Sequence, residues 1–281
     1  MKYVFFGTPE FASVALEKLI AGGMSPIAVV TNPDRPVGRK AIITPPPVKV
    51  LAERHGIPVL QPERLGGFEP ALSAYNADFY LVAAYGKIIP KSILDIPPHG
   101  TVGIHPSLLP RHRGASPIQG AILEGDTMTG VSLFVVDEKV DHGPVIATAN
   151  LSLGAGVETY AMLEHTLADI GADLALAILP DFAAGNIVPK AQDESKATYT
   201  KKFRTEEGFI EWKDIEAAAQ GDPVAVTLDR MIRALNPEPG TWTNRNGKRM
   251  KLLEAELIEG NLKLKTVQYE GKTPHPFLLS N

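Results

Sequence analysis

The chain opens on an uninterrupted apolar run, Tyr3-Val4-Phe5-Phe6, the pattern of a strand buried on both faces rather than of one with a wet side. Gly7-Thr8 supplies a turn and an N-cap, and Pro9 suits a first helical turn. Phe11, Val14, Ala15 and Leu19 then recur at helical spacing until Gly22-Gly23 ends the run. Ile27-Ala28-Val29-Val30 predicts a second buried strand, residues 48–55 a second helix stopped by Gly56 and Pro58, and residues 79–84 another apolar strand. Strands alternating with helices imply parallel βαβ units, so the expected class is α/β with a doubly wound parallel sheet.

After Ser195 the pattern changes. Residues 196–203 are polar and without helical periodicity, which reads as a connector. A short helix is expected over 226–235. Asn246-Gly247 is a hairpin signal and Gly260-Asn261 a second turn, so strands over 241–245, 249–258 and 262–269 predict a small antiparallel β domain. The expected organisation is a first domain over 1–192, a linker over 193–204 and a C-terminal β domain over 205–281. No internal repeat and no low-complexity tract interrupts it.

Apolar residues make up 44% and charged residues 21% of the 281, which excludes disorder as the general state. No run approaches the roughly 18–20 apolar residues of a membrane helix, and the apolar start stops too soon for a signal peptide. The absence of cysteine removes disulfides, thiolate zinc sites and cysteine nucleophiles together. These features predict a cytoplasmic protein with no membrane attachment. The net charge of −4 argues against indiscriminate nucleic-acid binding, but it is uneven. From Thr200 onward 13 Lys/Arg face 12 Asp/Glu, whereas the preceding residues hold 15 against 20. A polyanionic partner would favour the second part or a local basic loop.

The junction Phe6-Gly7-Thr8-Pro9-Glu10 has one glycine where a dinucleotide fingerprint needs three, which argues against NAD or FAD. Neither a Walker-type Gly-x-x-x-x-Gly-Lys-Ser/Thr loop nor a His-Glu-x-x-His helix occurs, and no metal is expected. The dense stretch is Gly103-Ile-His105-Pro-Ser107-Leu108-Leu109-Pro110-Arg-His-Arg113-Gly114, soon after a buried strand, where open α/β sheets place their crevice. His105 is a candidate acid, base or oxyanion donor, although a lone histidine is more often structural or exposed. Asp141 is a candidate carboxylate partner on a turn, or simply a turn residue ahead of Gly143. Ser107 lacks the Gly-x-Ser-x-Gly elbow and reads as part of a pocket wall with Leu108, Leu109 and Pro110. The loop from Asp34 to Lys40 is full of turn formers, yet Arg35, Arg39 and Lys40 could grip RNA phosphates. Arg249 and Lys251, and likewise Lys263 and Lys265, alternate on one strand face, with nearby glutamates diluting the field.

Five segments carry a resemblance: Phe6-Gly7-Thr8-Pro9-Glu10-Phe11-Ala12, the Asn32–Arg39 loop, Ala83-Ala84-Tyr85-Gly86-Lys87-Ile88, His105-x-Ser107-Leu108-Leu109-Pro110, and Arg113-Gly114-Ala115-Ser116-Pro117-Ile118-Gln119. Asp141, Ala197-Thr198-Tyr199, Ile210-x-Trp212 and Ile232–Pro237 continue it in order. The chain thereby resembles the methionyl-tRNA formyltransferases within the wider 10-formyltetrahydrofolate transferase superfamily. The resemblance implies a Rossmann-like N-terminal domain and a small, shortened barrel-like (OB-type) C-terminal domain that helps hold tRNA. It implies 10-formyltetrahydrofolate as cosubstrate, tetrahydrofolate as product, initiator methionyl-tRNA as partner in translation initiation, and no obligate protein partner. His105 and Asp141 match the family's catalytic pair, Ser107 to Pro110 with Tyr85 and Gly86 its folate-contacting segments, and Arg35, Arg39 and Lys40 its RNA-binding loop. Gly103 stands where the family has a catalytic Asn, which removes a side-chain amide from the oxyanion. Three readings stay open: a slow formyltransferase, an inactivated one, or a relative that binds folate or RNA for another purpose. The alternative acceptor to methionyl-tRNA is an amino sugar or another small amine.

Overall fold

Tyr3–Gly7 forms β1, every residue of it buried, and α1 follows over Glu10–Ala21 with Phe11, Ala12, Ala15, Leu16 and Leu19 turned inward. Beyond it lie β2 (Ala28–Val30), the hairpin β3 (Arg35–Val37) and β4 (Ile42–Thr44), α2 (Pro47–Arg54), β5 (Val59–Leu60) and α3 (Glu69–Ser73). Then come β6 (Phe79–Ala83), α4 (Lys91–Leu94), β7 (Thr101–His105), β8 (Arg113–Gly114), α5 (Pro117–Glu124), β9 (Met128–Val135), β10 (Val145–Ser152) and the long α6 (Tyr160–Ala183). The expected connector carries a 3-10 turn over Glu194–Lys196 and the short β11 (Tyr199–Thr200). The chain closes with α7 (Trp212–Ala218), α8 (Val224–Leu235), β12 (Thr241–Arg245), β13 (Lys248–Ile258), β14 (Asn261–Tyr269) and β15 (His275–Pro276). This computed structural model describes residues 1–38, 40–154 and 156–277. Among them no helix is long and apolar enough to cross a membrane.

Two compact units result, and neither is a continuous stretch. The first joins residues 1–113, 130–151 and 164–199; the second joins 114–129, 152–163 and 200–281. In the first unit the strand order is β10-β9-β7-β6-β1-β2-β5. β5, β2, β1, β6 and β7 run parallel, as the βαβ pattern predicts, but β9 pairs antiparallel to β7. The sheet is therefore mixed rather than wholly parallel, because the chain re-enters it at β9 from the end at which β7 left. From β1 the chain first builds outward through β2 and β5, then returns to the other side of β1 for β6 and β7. That reversal is the topological switch point, and it opens a crevice at the carboxyl ends of β1 and β6. Beneath it Phe6 packs against Tyr80 (5.2 Å between ring centroids) and edge-on against Tyr85 (5.5 Å, 88°).

The loop between β2 and α2 is a hairpin with a polar root. Lys49 Nζ donates to both oxygens of Asp34 (3.0 and 2.8 Å), and Gln61 Nε2 donates to Asp34 Oδ1 (2.8 Å) and to the Asn32 carbonyl (2.9 Å). Arg35 pairs with Glu63 at 2.5 Å, while Val37, Ile42 and Ile43 of the hairpin stand exposed. Lys40 is exposed too, and Arg39 lies outside the described residues. The Gln61 amide first and the Lys49 ammonium second hold the Asp34 carboxyl below its usual range. A depressed folded pKa adds stability above the ordinary carboxylate range and loses it as pH falls through the folded value. Wild-type protein should thus lose more stability than Asp34→Asn between about pH 5 and about pH 3. Denaturant midpoints at both pH values check this, and equal losses would dismiss the root as a stabilising contact.

In the second unit α7 and α8 cover an antiparallel sheet of order β12-β13-β14-β15. Ile210, Ile215, Leu228, Ile232, Met250, Leu252, Leu262 and Val267 form its core. Asn246 (φ 53°) and Gly247 (φ 73°) both adopt the left-handed backbone that a two-residue hairpin turn demands. The expected small β domain is this antiparallel sheet, in which β12 and β15 do not pair with each other among the described residues. α5 packs against α8, with Ile118, Ala121 and Ile122 buried. Arg249, Lys251, Lys263 and Lys265 are exposed as their alternation predicts. Arg249 lies over the Trp242 ring at 4.1 Å, and Lys265 pairs with Glu256 at 2.6 Å.

Candidate active site

The stretch from Gly103 to His105 is strand, not loop. It is the end of β7, buried throughout, and the segment that follows turns along the carboxyl edge of the sheet. A glycine and a proline hide this strand from a periodicity reading, since they break the pattern at Gly103 and Pro106. Across the antiparallel ladder Gly103 faces Phe134 and His105 faces Ser132.

Ser132 fixes the turn after the histidine. Its buried hydroxyl donates to the Ser107 carbonyl (2.8 Å) and accepts from the Leu109 N–H (3.0 Å). Ser107 Oγ donates to the Arg111 carbonyl at 2.6 Å, so its proton belongs to the turn, as a wall residue's would. Leu109 is buried, whereas Leu108 and Pro110 are half-buried and form an apolar lip. The expected connector ties down the far end of the segment. Thr198 Oγ1 accepts from the His112 N–H (2.8 Å), its carbonyl accepts from the Arg113 N–H (2.9 Å), and its own N–H reaches Pro110 (3.2 Å). Ser132→Ala should destabilise the protein by about 1–3 kcal/mol, the cost of stranding a buried donor and acceptor. Chemical denaturation would register it, and unchanged stability would remove Ser132 as the anchor.

His105 is 6% exposed and held on two sides. Its Nε2 lies 3.0 Å from the His112 carbonyl oxygen, which can only accept, so Nε2 carries the proton in the neutral ring. Nδ1 is left with its lone pair, and Asp141 Oδ2 stands 3.7 Å from it. The backbone of His112, rather than the candidate partner Asp141, fixes the tautomer. At 3.7 Å the carboxylate is a counter-charge rather than a hydrogen-bond partner of the neutral ring. The two candidate groups do meet, from β7 and from the turn before β10. Phe134 closes a third side, its ring edge-on to the imidazole at 6.3 Å and 85°.

Gly103 has an ordinary strand backbone, and what distinguishes it is space. A Cβ built there would overlap the Phe134 ring, which is 4% exposed. The aromatic side chain thus occupies the volume a larger residue at 103 would need. Tyr85 lies in the core with its ring against Phe6, and burial pushes its hydroxyl pKa up to about 12. What this position offers is backbone: its carbonyl accepts from Thr8 Oγ1 (3.3 Å) and Asn32 Nδ2 (3.2 Å), and Gly86 follows. Asn32 Oδ1, beside that crevice, is buried without a hydrogen-bond donor among the described residues.

Ser132 and Phe134 were not legible as site residues. Ser132 left one signal, an isolated hydroxyl inside the otherwise apolar run Val131-Ser132-Leu133-Phe134, whereas Phe134 reads as ordinary core.

Comparison with known proteins places the chain in a family. Residues 1–179 match the formyl transferase family and residues 202–273 the formyl transferase C-terminal domain. Methionyl-tRNA formyltransferase of Chloroflexus aurantiacus is 43% identical over 263 residues, covering 93% of this chain and 82% of that protein. Among solved structures, methionyl-tRNA formyltransferase from Clostridium thermocellum matches with a TM-score of 0.61 at 17% identity, over 96% of this chain and 98% of that one. HypX from Aquifex aeolicus in complex with tetrahydrofolic acid matches with a TM-score of 0.68 at 17% identity, over 98% of this chain and 46% of that one. At such identities the structural likeness speaks for the fold, and the sequence matches speak for descent. The chain belongs to the formyl transferase family.

Proposed function

We propose that the protein transfers a formyl group from 10-formyltetrahydrofolate to the α-amine of initiator methionyl-tRNA, in the cytoplasm. The observation that carries this reading is His105, with Nε2 engaged by backbone, Nδ1 open and a carboxylate behind it, at the crevice of a formyl transferase fold. The relatives named methionyl-tRNA formyltransferase, which align over most of their length, support the choice of acceptor.

The crevice suits a folate. Leu108, Leu109 and Pro110 give an apolar wall on a pinned backbone, and the donorless Asn32 Oδ1 is a hydrogen-bond acceptor waiting for an N–H. The folate cosubstrate supplies the formyl carbon and, once that carbon departs, a nitrogen that needs a proton. His105 Nδ1 takes the proton that the amine sheds as it bonds to the formyl carbon, and returns it to that nitrogen as the old bond breaks. Asp141 stabilises the imidazolium between the two transfers, and Nε2 stays on the His112 carbonyl throughout. No proton is gained or lost overall.

Purified protein incubated with 10-formyltetrahydrofolate and methionyl-tRNA should yield formylmethionyl-tRNA. Formylation of an amino sugar and not of tRNA would move the acceptor to that class. Folate binding without any transfer would make the protein a non-catalytic relative. For the RNA, Arg35→Glu with Lys40→Glu should weaken tRNA binding and lower its salt slope by about one per phosphate contact removed. Folate affinity should not change. Wild-type tRNA affinity and slope in this variant would return the hairpin to an ordinary solvated surface.

A further inference from the structure

We infer that Gln192 and Arg113 are positioning residues, which hold the Asp141 turn at the distance from His105 that the transfer requires; this rests on the catalytic reading above. Arg113 has a fully buried side chain, and all five of its N–H donors are used. Nε and Nη2 donate to Gln192 Oε1 (3.0 and 2.8 Å), Nη1 and Nη2 to the two oxygens of Glu194 (3.0 and 2.6 Å), and Nη1 also to the Tyr199 hydroxyl (3.0 Å). Gln192 is thereby oriented without ambiguity. Its oxygen faces the guanidinium, and its amide Nε2 donates to the carbonyls of Asp141 (2.9 Å) and Gly143 (2.7 Å).

These two bonds act on a turn that needs holding. Asp141 has a φ of 47°, a left-handed conformation that a residue with a side chain adopts at some cost. Gly143 lies so close to the Val135 carbonyl that a Cβ there would overlap it. Outside the turn, Val145 and Lys190 exchange backbone hydrogen bonds at 2.8 Å each way, which brings Gln192 alongside. His142 Nδ1 meets Asp137 Oδ2 at 2.6 Å, and its Nε2 lies 3.7 Å from Glu194. The buried cation therefore reaches the catalytic carboxylate through one amide and a backbone carbonyl. A movement of about 1 Å at such a site is enough to cost rate heavily.

The test compares Gln192→Glu and Gln192→Met in the wild-type and Asp141→Asn backgrounds. The first keeps an acceptor for Arg113 but sets an oxygen against the two carbonyls; the second has similar length and no donor, and serves if the first does not fold. In the wild-type background kcat for formyl transfer should fall about tenfold or more with KM for folate and tRNA held. In the Asp141→Asn background the same substitutions should cost less than about twofold, because the group they position is already gone. An equal loss in both backgrounds would make the contacts merely structural and overturn the inference, as would an unchanged kcat in both variants. Full activity of Asp141→Asn itself would overturn the catalytic reading, and the positioning role with it.

Discussion

His105→Ala is expected to lower kcat for formyl transfer by about 10²-fold or more while leaving folate affinity in place. The split follows from the geometry. The apolar lip of Leu108, Leu109 and Pro110 is pinned by Ser132 and not by the imidazole, so the folate wall survives the substitution. What disappears is Nδ1, the only ring nitrogen not already spent on the His112 carbonyl, together with the charge that Asp141 is placed to stabilise. Steady-state kinetics with methionyl-tRNA and direct folate titration separate the two effects. Unaltered turnover would sink the assignment of His105 as the base.

Gly103→Asn made alone is expected to destabilise the protein by about 1–3 kcal/mol and to bring no gain in rate. Any Cβ at this position overlaps the ring of Phe134, which is buried and carried by β9 itself. Pairing Gly103→Asn with Phe134→Val roughly conserves the summed side-chain volume and clears the space. If an amide at 103 donates to the oxyanion, as the family resemblance implies, the double variant should raise kcat by about 10²-fold with a smaller change in KM. Phe134→Val alone should be slower than wild type or less stable, since it opens a cavity beside His105. A folded double variant no faster than wild type would show that this chain's transfer does not use an amide there.

Much of the fold could be read from the chain because its signals are local. The apolar run of β1, the helical spacing of α1 and the Asn246-Gly247 turn each declare themselves within a few residues. α6 does not, because it is apolar on most of its circumference and carries Gly171 and Pro180 within its span. The antiparallel return of β9 is invisible for another reason: strand direction is set by where a connection re-enters the sheet, which no local pattern encodes. The site divides in the same way. His105 and Asp141 could be named from residue type and from resemblance, yet their meeting depends on a turn held by Gln192. That residue lies in a polar stretch where nothing marks it. The fixing of the imidazole tautomer was beyond the sequence altogether, since a backbone carbonyl performs it.

The grouping of α5 with the C-terminal residues has a consequence for modularity. The chain passes between its two units five times, and the boundary that the sequence offers near residue 200 is one of those passages. A fragment stopping there would keep α5 but lose α8, baring Ile118, Ala121 and Ile122. Such a piece should be sticky rather than an autonomous catalytic half. By the same reasoning, a C-terminal domain grafted from a relative would have to fit the face of a helix encoded some hundred residues upstream. α5 and α8, far apart in the chain, thus belong to one unit of the fold.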